Sequence, residues 1–205
     1  MSPSKPARRS TPQPDRRLAA GTVLVFSSAM GETRVEIFDS AGAAAQADAV
    51  AAVWRDAFGA IDDPAEWRET VFDRHRARDD YRLAVASEAA GPVGLAWGYI
   101  GQRGQFWPDR VLDRLGPVAE HWVGGHVEFV ELAVSVRARR KGVGRRLHDA
   151  LLAALPNRHA LLGASSNPDD PAVRLYRARG WAQLGLLEPG AQVMLRPPDP
   201  ASPRT

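Results

Sequence analysis

The sequence contains no cysteine, which excludes disulfides, thiolate metal sites and a cysteine nucleophile. It also lacks any apolar run near the roughly 18 residues that a membrane-spanning helix requires. The stretch from Met1 to Arg17 is rich in proline and arginine but has no apolar segment, so it does not read as a secretory signal. Together these absences predict a cytoplasmic chain with no membrane partner. A pervasive basic surface is missing as well. Lys5, Arg8, Arg9, Arg16 and Arg17 face only Asp15 in residues 1–17, and the whole chain carries a formal net charge of +3. The remainder is therefore close to neutral, which argues against nucleic acid as a partner. No internal repeat is present.

What is there fits one globular domain: 205 residues, 44% hydrophobic and 25% charged. Residues 1–29 read as a disordered or weakly ordered extension, with Met30 as an alternative start, and residues 198–205 as a frayed tail. Residues 30–197 form the expected domain. Alternating residues 34–39, and apolar stretches at 81–87, 93–100, 127–136, 161–164 and 192–195, predict strands. Helical spacing or helix-stop glycines predict helices over 43–58, 64–75, 142–155 and 171–179. The alternation of strands and helices makes this a mixed α/β chain with three layers.

The segment Glu131–His148 carries the strongest chemical signal. A buried strand runs into Arg139, Arg140, Lys141, Gly142, Val143 and Gly144, where a helix begins. Glycines there let an anion approach the unobstructed N–H groups of a helix N-terminus. Arg145 and Arg146 follow in the first turn, where positive charge opposes the helix dipole unless an anion lies nearby. A polyphosphate accounts for glycines and basic residues together; a glycine-containing turn with a solvated basic face is the plainer alternative. Neither a P-loop nor the six-residue dinucleotide fingerprint fits the spacing.

The same segment resembles motif A of the GNAT superfamily of N-acetyltransferases, through Leu132, Val134, Arg139, Gly142 and Gly144. Downstream, Asn167, Ala172, Leu175, Tyr176, Gly180 and Trp181 are similar to a second family pattern, with a longer gap after the Asn and Trp in place of Phe. The resemblance spans roughly residues 34–196. It implies a three-layer mixed sheet splayed at its fourth strand, with helices on both faces. It further implies acetyl-CoA as cosubstrate, no metal, and direct transfer of acetyl to a primary amine of a small molecule. A peptide or protein amine, or non-catalytic acyl-CoA sensing, are the alternatives, and the resemblance is compatible with a homodimer. Backbone groups of residues 139–145 would hold the pyrophosphate, Leu132, Val134 and Val136 would lie along the pantetheine, and Asn167 would belong to the same cofactor site.

For the chemistry, the resemblance makes Tyr176 the general acid for the departing thiolate. Glu128 and Glu131 are the candidate bases, with ordered water as the alternative. Three residues apart on a regular strand, they would face opposite sides; a bulge expected near Leu132–Val134 would reset that parity. The long connection 102–125 reads as a substrate lid, with Trp107 and Trp122 against the acceptor and Asp109, Asp113 and Glu120 suited to a cation. His121 and His126 read as surface histidines, and packing on the sheet is the plainer role for both Trp residues.

Overall fold

The computed structural model describes the backbone of residues 24–26 and all of residues 33–198. Eight strands form one sheet in the order β1-β2-β3-β4-β5-β6-β8-β7. They are β1 (Leu24–Phe26), β2 (Arg34–Phe38), β3 (Arg82–Glu88), β4 (Gly91–Gly101), β5 (His126–Val134), β6 (Ala160–Ser165), β7 (Ala182–Glu188) and β8 (Ala191–Arg196). Every neighbouring pair is antiparallel except β5 and β6. The helix α7 (Val143–Ala153) lies between that parallel pair in sequence, as a parallel connection requires.

One face of the sheet is covered by α7 and by α8 (Pro171–Ala178). Val35, Ile37, Ala96, Val127 and Leu162 of the strands pack there with Val143, Leu147 and Leu151. The opposite face is covered in two parts. Over its first half lie α1 (Ser40–Ala44), α2 (Ala47–Phe58), α3 (Pro64–Trp67) and α4 (Arg74–Arg76), the last two joined by a π-helical segment, Arg68–Asp73. Leu83, Leu95 and Trp97 bury against Val50, Val53 and Phe72. Trp97 stacks on Trp54 at 5.7 Å and meets Phe72 edge-on at 6.2 Å, which ties α2 and the π segment to β4. Each such fully buried side chain contributes roughly 1.5–3 kcal/mol through apolar burial. Over the second half lie α5 (Phe106–Leu115) and α6 (Pro117–Glu120), whose Val111 and Ala119 pack on Leu161 and Val193.

The local signals act where expected. Asp63 caps α3 by accepting from the N–H groups of Ala65 and Glu66, with Pro64 in the first turn. Gly59, at φ +106°, ends α2. Three readings are corrected. The helix expected over 43–58 is two, α1 and α2, because Asp39 caps an earlier start by accepting from Gly42 N–H. The strand expected to reach Val136 ends at Val134, and Val136–Ala138 form a 3₁₀ turn. Strand β7 was missed because it is an edge strand with Leu187 its one buried residue. Strand β1 falls within the segment read as an extension; the rest of residues 1–29, Met30 and residues 199–205 lie outside the described residues.

Candidate active site

Strands β5 and β6 pair only at their starts, Val127 opposite Ala160 and Glu128 opposite Leu161. Beyond that point β5 stays with β4 as far as Val134, and β6 stays with β8. The sheet therefore opens along one edge of Phe129–Val134. This is the expected splay at the fourth strand, now counted fifth because β1 adds an edge.

The glycine turn stands at one end of the opening. Gly142 has φ +77° and is the N-cap of α7, which has no side-chain cap. A Cβ on Gly142 would meet nothing within 4 Å, whereas one on Gly144 would touch Leu175 and Val134 at ordinary contact distances. Helix N–H groups are therefore left open towards free space, which fits a pyrophosphate. The basic side chains have different parts. Arg139 donates to the carbonyls of Val134 and Ala57, at 3.1 Å each, so it braces the turn against α2. Arg140 adopts φ +63° and is exposed, as is Lys141, which lies 3.9 Å from Glu88. Arg145 lines a separate cavity with Val35 and Asp149.

On the face covered by α2–α6, a cavity of about 360 Å³ lies between α4 and α5. Its floor is Tyr99, Glu128, Phe129, Val130 and Gly163; Arg74, His75 and Arg78 form one wall, and Gln105, Phe106, Trp107 and Pro108 the other. The π segment immediately precedes the basic wall, a placement common at functional sites. Glu128 is 5% exposed. Its Oε1 accepts a 2.7 Å hydrogen bond from the Tyr99 hydroxyl, and its Oε2 has no partner among the described residues. Burial pushes this carboxyl up to about 7, while the Tyr99 hydrogen bond and the Arg78 charge act in the opposite direction.

Gly101 makes room for that carboxylate. A Cβ there would stand 2.6 Å from the His126 ring and 2.9 Å from Glu128 Oε2. His126 is fully buried, which corrects its reading as a surface residue. Its Nδ1 accepts from Gly124 N–H, and burial, helped by His159, lowers its pKa to about 4.

The bulge lies upstream of its expected place. Gly98 is opposite Phe129 and Trp97 opposite Glu131, so Val130 is the extra residue. Glu128 and Glu131 consequently sit opposite Tyr99 and Trp97, alternate residues that share one sheet face. Burial raises Glu131 to about 7 as well, although its Oε1 accepts from Leu132 N–H at 3.1 Å. Tyr176 comes from α8 on the other face and packs edge-on against Phe129 at 6.0 Å. Its hydroxyl makes no hydrogen bond among the described residues. Burial raises its pKa, and the charges of Glu131 and Asp170 raise it further.

A family model described as "Acetyltransferase (GNAT) family" matches residues 47–181, well over half of the sequence. The chain belongs to the GNAT family of acetyltransferases. A GCN5-like protein acetyltransferase of Mycobacterium tuberculosis is 30% identical over 125 residues, covering 56% of this chain and 61% of that protein. The GNAT chain thus spans about three fifths of that curated relative's length. Solved structures share the fold. A putative GNAT-family acetyltransferase from Bordetella pertussis has a TM-score of 0.57 at 16% identity, over 84% of this chain and 99% of that one. A GCN5-related N-acetyltransferase from Kribbella flavida has a TM-score of 0.56 at 20% identity, over 80% and 97%.

Within this GNAT domain the structure separates the residues singled out by sequence. Trp107 reaches the cavity; Trp122 packs on His159, ring centroids 5.4 Å apart, and does not line it. Asp109, Asp113 and Glu120 are absent from the lining too. Exposed Asn167 shapes the loop before α8, its Oδ1 accepting from Asp169 N–H, while Asp170 caps the helix. Trp181, in the place of the family's Phe, donates from Nε1 to His148 Nε2 at 2.8 Å. Sequence reading passed over Tyr99 and the basic wall. The run Arg74-His75-Arg76-Ala77-Arg78 was the available signal. Among the described residues, no helix is long and apolar enough to cross a membrane.

Proposed function

We propose that this GNAT domain transfers the acetyl group of acetyl-CoA to a primary amine of a small molecule by direct attack on the thioester. The observation that carries the reading is Glu128: a buried carboxylate on a cavity floor, at the point where β5 and β6 part. Acetyl-CoA supplies an activated acyl group when bound. The open N–H groups at Gly142–Gly144 would hold its pyrophosphate, and the free edge of β5 at Leu132–Val134 would lie along its pantetheine. An amine attacks only when its nitrogen is unprotonated. With a pKa near 7, Glu128 is a competent acceptor for the nitrogen's proton at neutral pH.

Tyr176, packed on Phe129 at the other face of the sheet with its hydroxyl uncommitted, would return a proton to the departing sulfur. As the neutral amine forms the C–N bond and the thioester C–S bond breaks, the nitrogen loses one proton to Glu128 and the sulfur gains one from Tyr176, so the step balances. Glu131, half-buried and close enough to Tyr176 for its charge to raise that phenol's pKa, is the second candidate base. Trp107 supports the acceptor from the cavity wall.

A protein or peptide amine is the second reading, favoured by the M. tuberculosis relative, a GCN5-like protein acetyltransferase. A thiol-release assay across small amines and peptides tests both. Turnover of small amines supports the first reading, and turnover of peptides alone replaces it with the second. Acetyl-CoA binding without turnover would leave only an acyl-CoA sensor.

A further inference from the structure

The cavity holds more positive charge than an amine needs. Among its lining residues Glu128 is the one carboxylate, against the guanidinium groups of Arg74 and Arg78. Of the nearby acids, Asp73 pairs with Arg68 and Arg76 and Asp80 with Arg82, while Asp79 is exposed and makes no ion pair with Arg74 or Arg78 among the described residues. Neither Arg74 nor Arg78 has a side-chain hydrogen bond or ion pair among the described residues. The Arg78 Nε is moreover buried without a partner. Leaving a buried guanidinium donor unpaired is costly, so water or an anionic ligand has to meet it. His75, between the two, is held neutral: burial, then the charges of Arg74 and Arg78, lower its pKa to about 4. It contributes an imidazole to the wall, and its buried Nδ1 is also unpartnered.

We infer that the acceptor is an amine carrying an anionic group, a carboxylate or a phosphate, which Arg74 and Arg78 bind while the amine nitrogen faces Glu128. This rests on the acetyltransfer reading and narrows its substrate class. Two guanidinium groups offer planar, charge-assisted donors to such a group, the strongest polar contacts available to a small ligand. The same wall repels polycationic amines, so the cationic acceptor suggested by the acidic residues of 102–125 is disfavoured. Those acids lie away from the cavity, and Asp109 is occupied in accepting from Gly104 N–H.

The test compares ω-amino carboxylates and ω-aminoalkyl phosphates of graded length with neutral alkylamines and 1,3-diaminopropane. Wild type should favour an anionic series by about ten- to a hundredfold in kcat/KM, the range of a charge-assisted contact. The two anionic series show which group the arginines prefer. In Arg74→Glu/Arg78→Glu that ratio should invert towards the diamine. A ratio measured within one preparation is insensitive to a partial loss of folded protein. Calorimetry of the best anionic amine with wild type and Arg74→Gln/Arg78→Gln supplies a readout without turnover. Loss of that binding in the variant supports the inference even if no amine is acetylated, in which case the acetyltransfer reading fails alone. Equal binding by both proteins, or a wild-type preference for neutral or cationic amines, overturns it.

Discussion

Replacing Glu128 by glutamine keeps the shape of the side chain and its acceptance of the Tyr99 hydrogen bond, but removes the base. General base contributions are about 100- to 10,000-fold, so kcat/KM at pH 8 should fall within that range. The pH profile is more specific. Arg78 and Tyr99 stabilise the carboxylate but burial dominates, placing its pKa at about 7. At pH 6 only about a tenth is ionised. The wild-type plot of log kcat/KM should therefore gain one unit of slope below about pH 7, and Glu128→Gln should lose that break.

Stability should move the other way. The folded pKa lies above the unfolded value of 4.5, so the folded state binds more protons between these pH values. Stability consequently falls as pH rises through that window, by up to about 3 kcal/mol once pH exceeds 7. Glu128→Gln escapes this penalty, though its new amide N–H₂ must find an acceptor, so a gain of about 1–3 kcal/mol at pH 8 and little change at pH 4 is expected. Denaturant melts at the two pH values measure it. A variant with the wild-type pH break and less than about threefold loss of activity would refute Glu128 as the base.

Tyr176→Phe should lower kcat by about 100- to 10,000-fold with little effect on CoA affinity, and a donor with a more acidic thiol should partly rescue it. Gly142→Val forces a β-branched residue to φ +77° and fills the open space before α7; calorimetry should show acetyl-CoA affinity falling by about tenfold or more, with less change in exposed Arg145→Ala. Gly101→Ala places a methyl against His126 and Glu128 Oε2; it should cost about 1–3 kcal/mol in denaturant melts and shift the acid limb of the pH profile. Trp107→Ala should raise KM for the amine and spare that for acetyl-CoA, whereas Trp122→Ala should lower Tm instead, since its ring packs on His159.

The turn proposed for the cofactor half of the site was legible as a structural element because its geometry is local. Glycines, a strand end and a helix start lie within residues 132–145, and backbone conformation follows from residue type there. The strand–helix order was legible for the same reason, since Val35 and Ile37, or Leu147 and Leu151, reveal their buried faces by period. The acceptor half was not. Its cavity joins Arg74, Tyr99, Trp107 and Glu128 from separate elements, and no sequence spacing records that meeting. The bulge at Val130 decides which way Glu128 and Glu131 face, yet it is fixed by pairing with Trp97 and Gly98 on another strand. His126 illustrates the same limit: it looks polar and terminal in sequence, but Gly101 on the neighbouring strand leaves space for its ring.

The most direct test incubates wild type and Glu128→Gln with acetyl-CoA and the amine panel, and identifies products by mass spectrometry. The account predicts an N-acetylated small amine formed by wild type, at least about a hundredfold faster than by the variant. Acetyl-CoA binding with no acetylated amine, or equal rates in the two proteins, would contradict it.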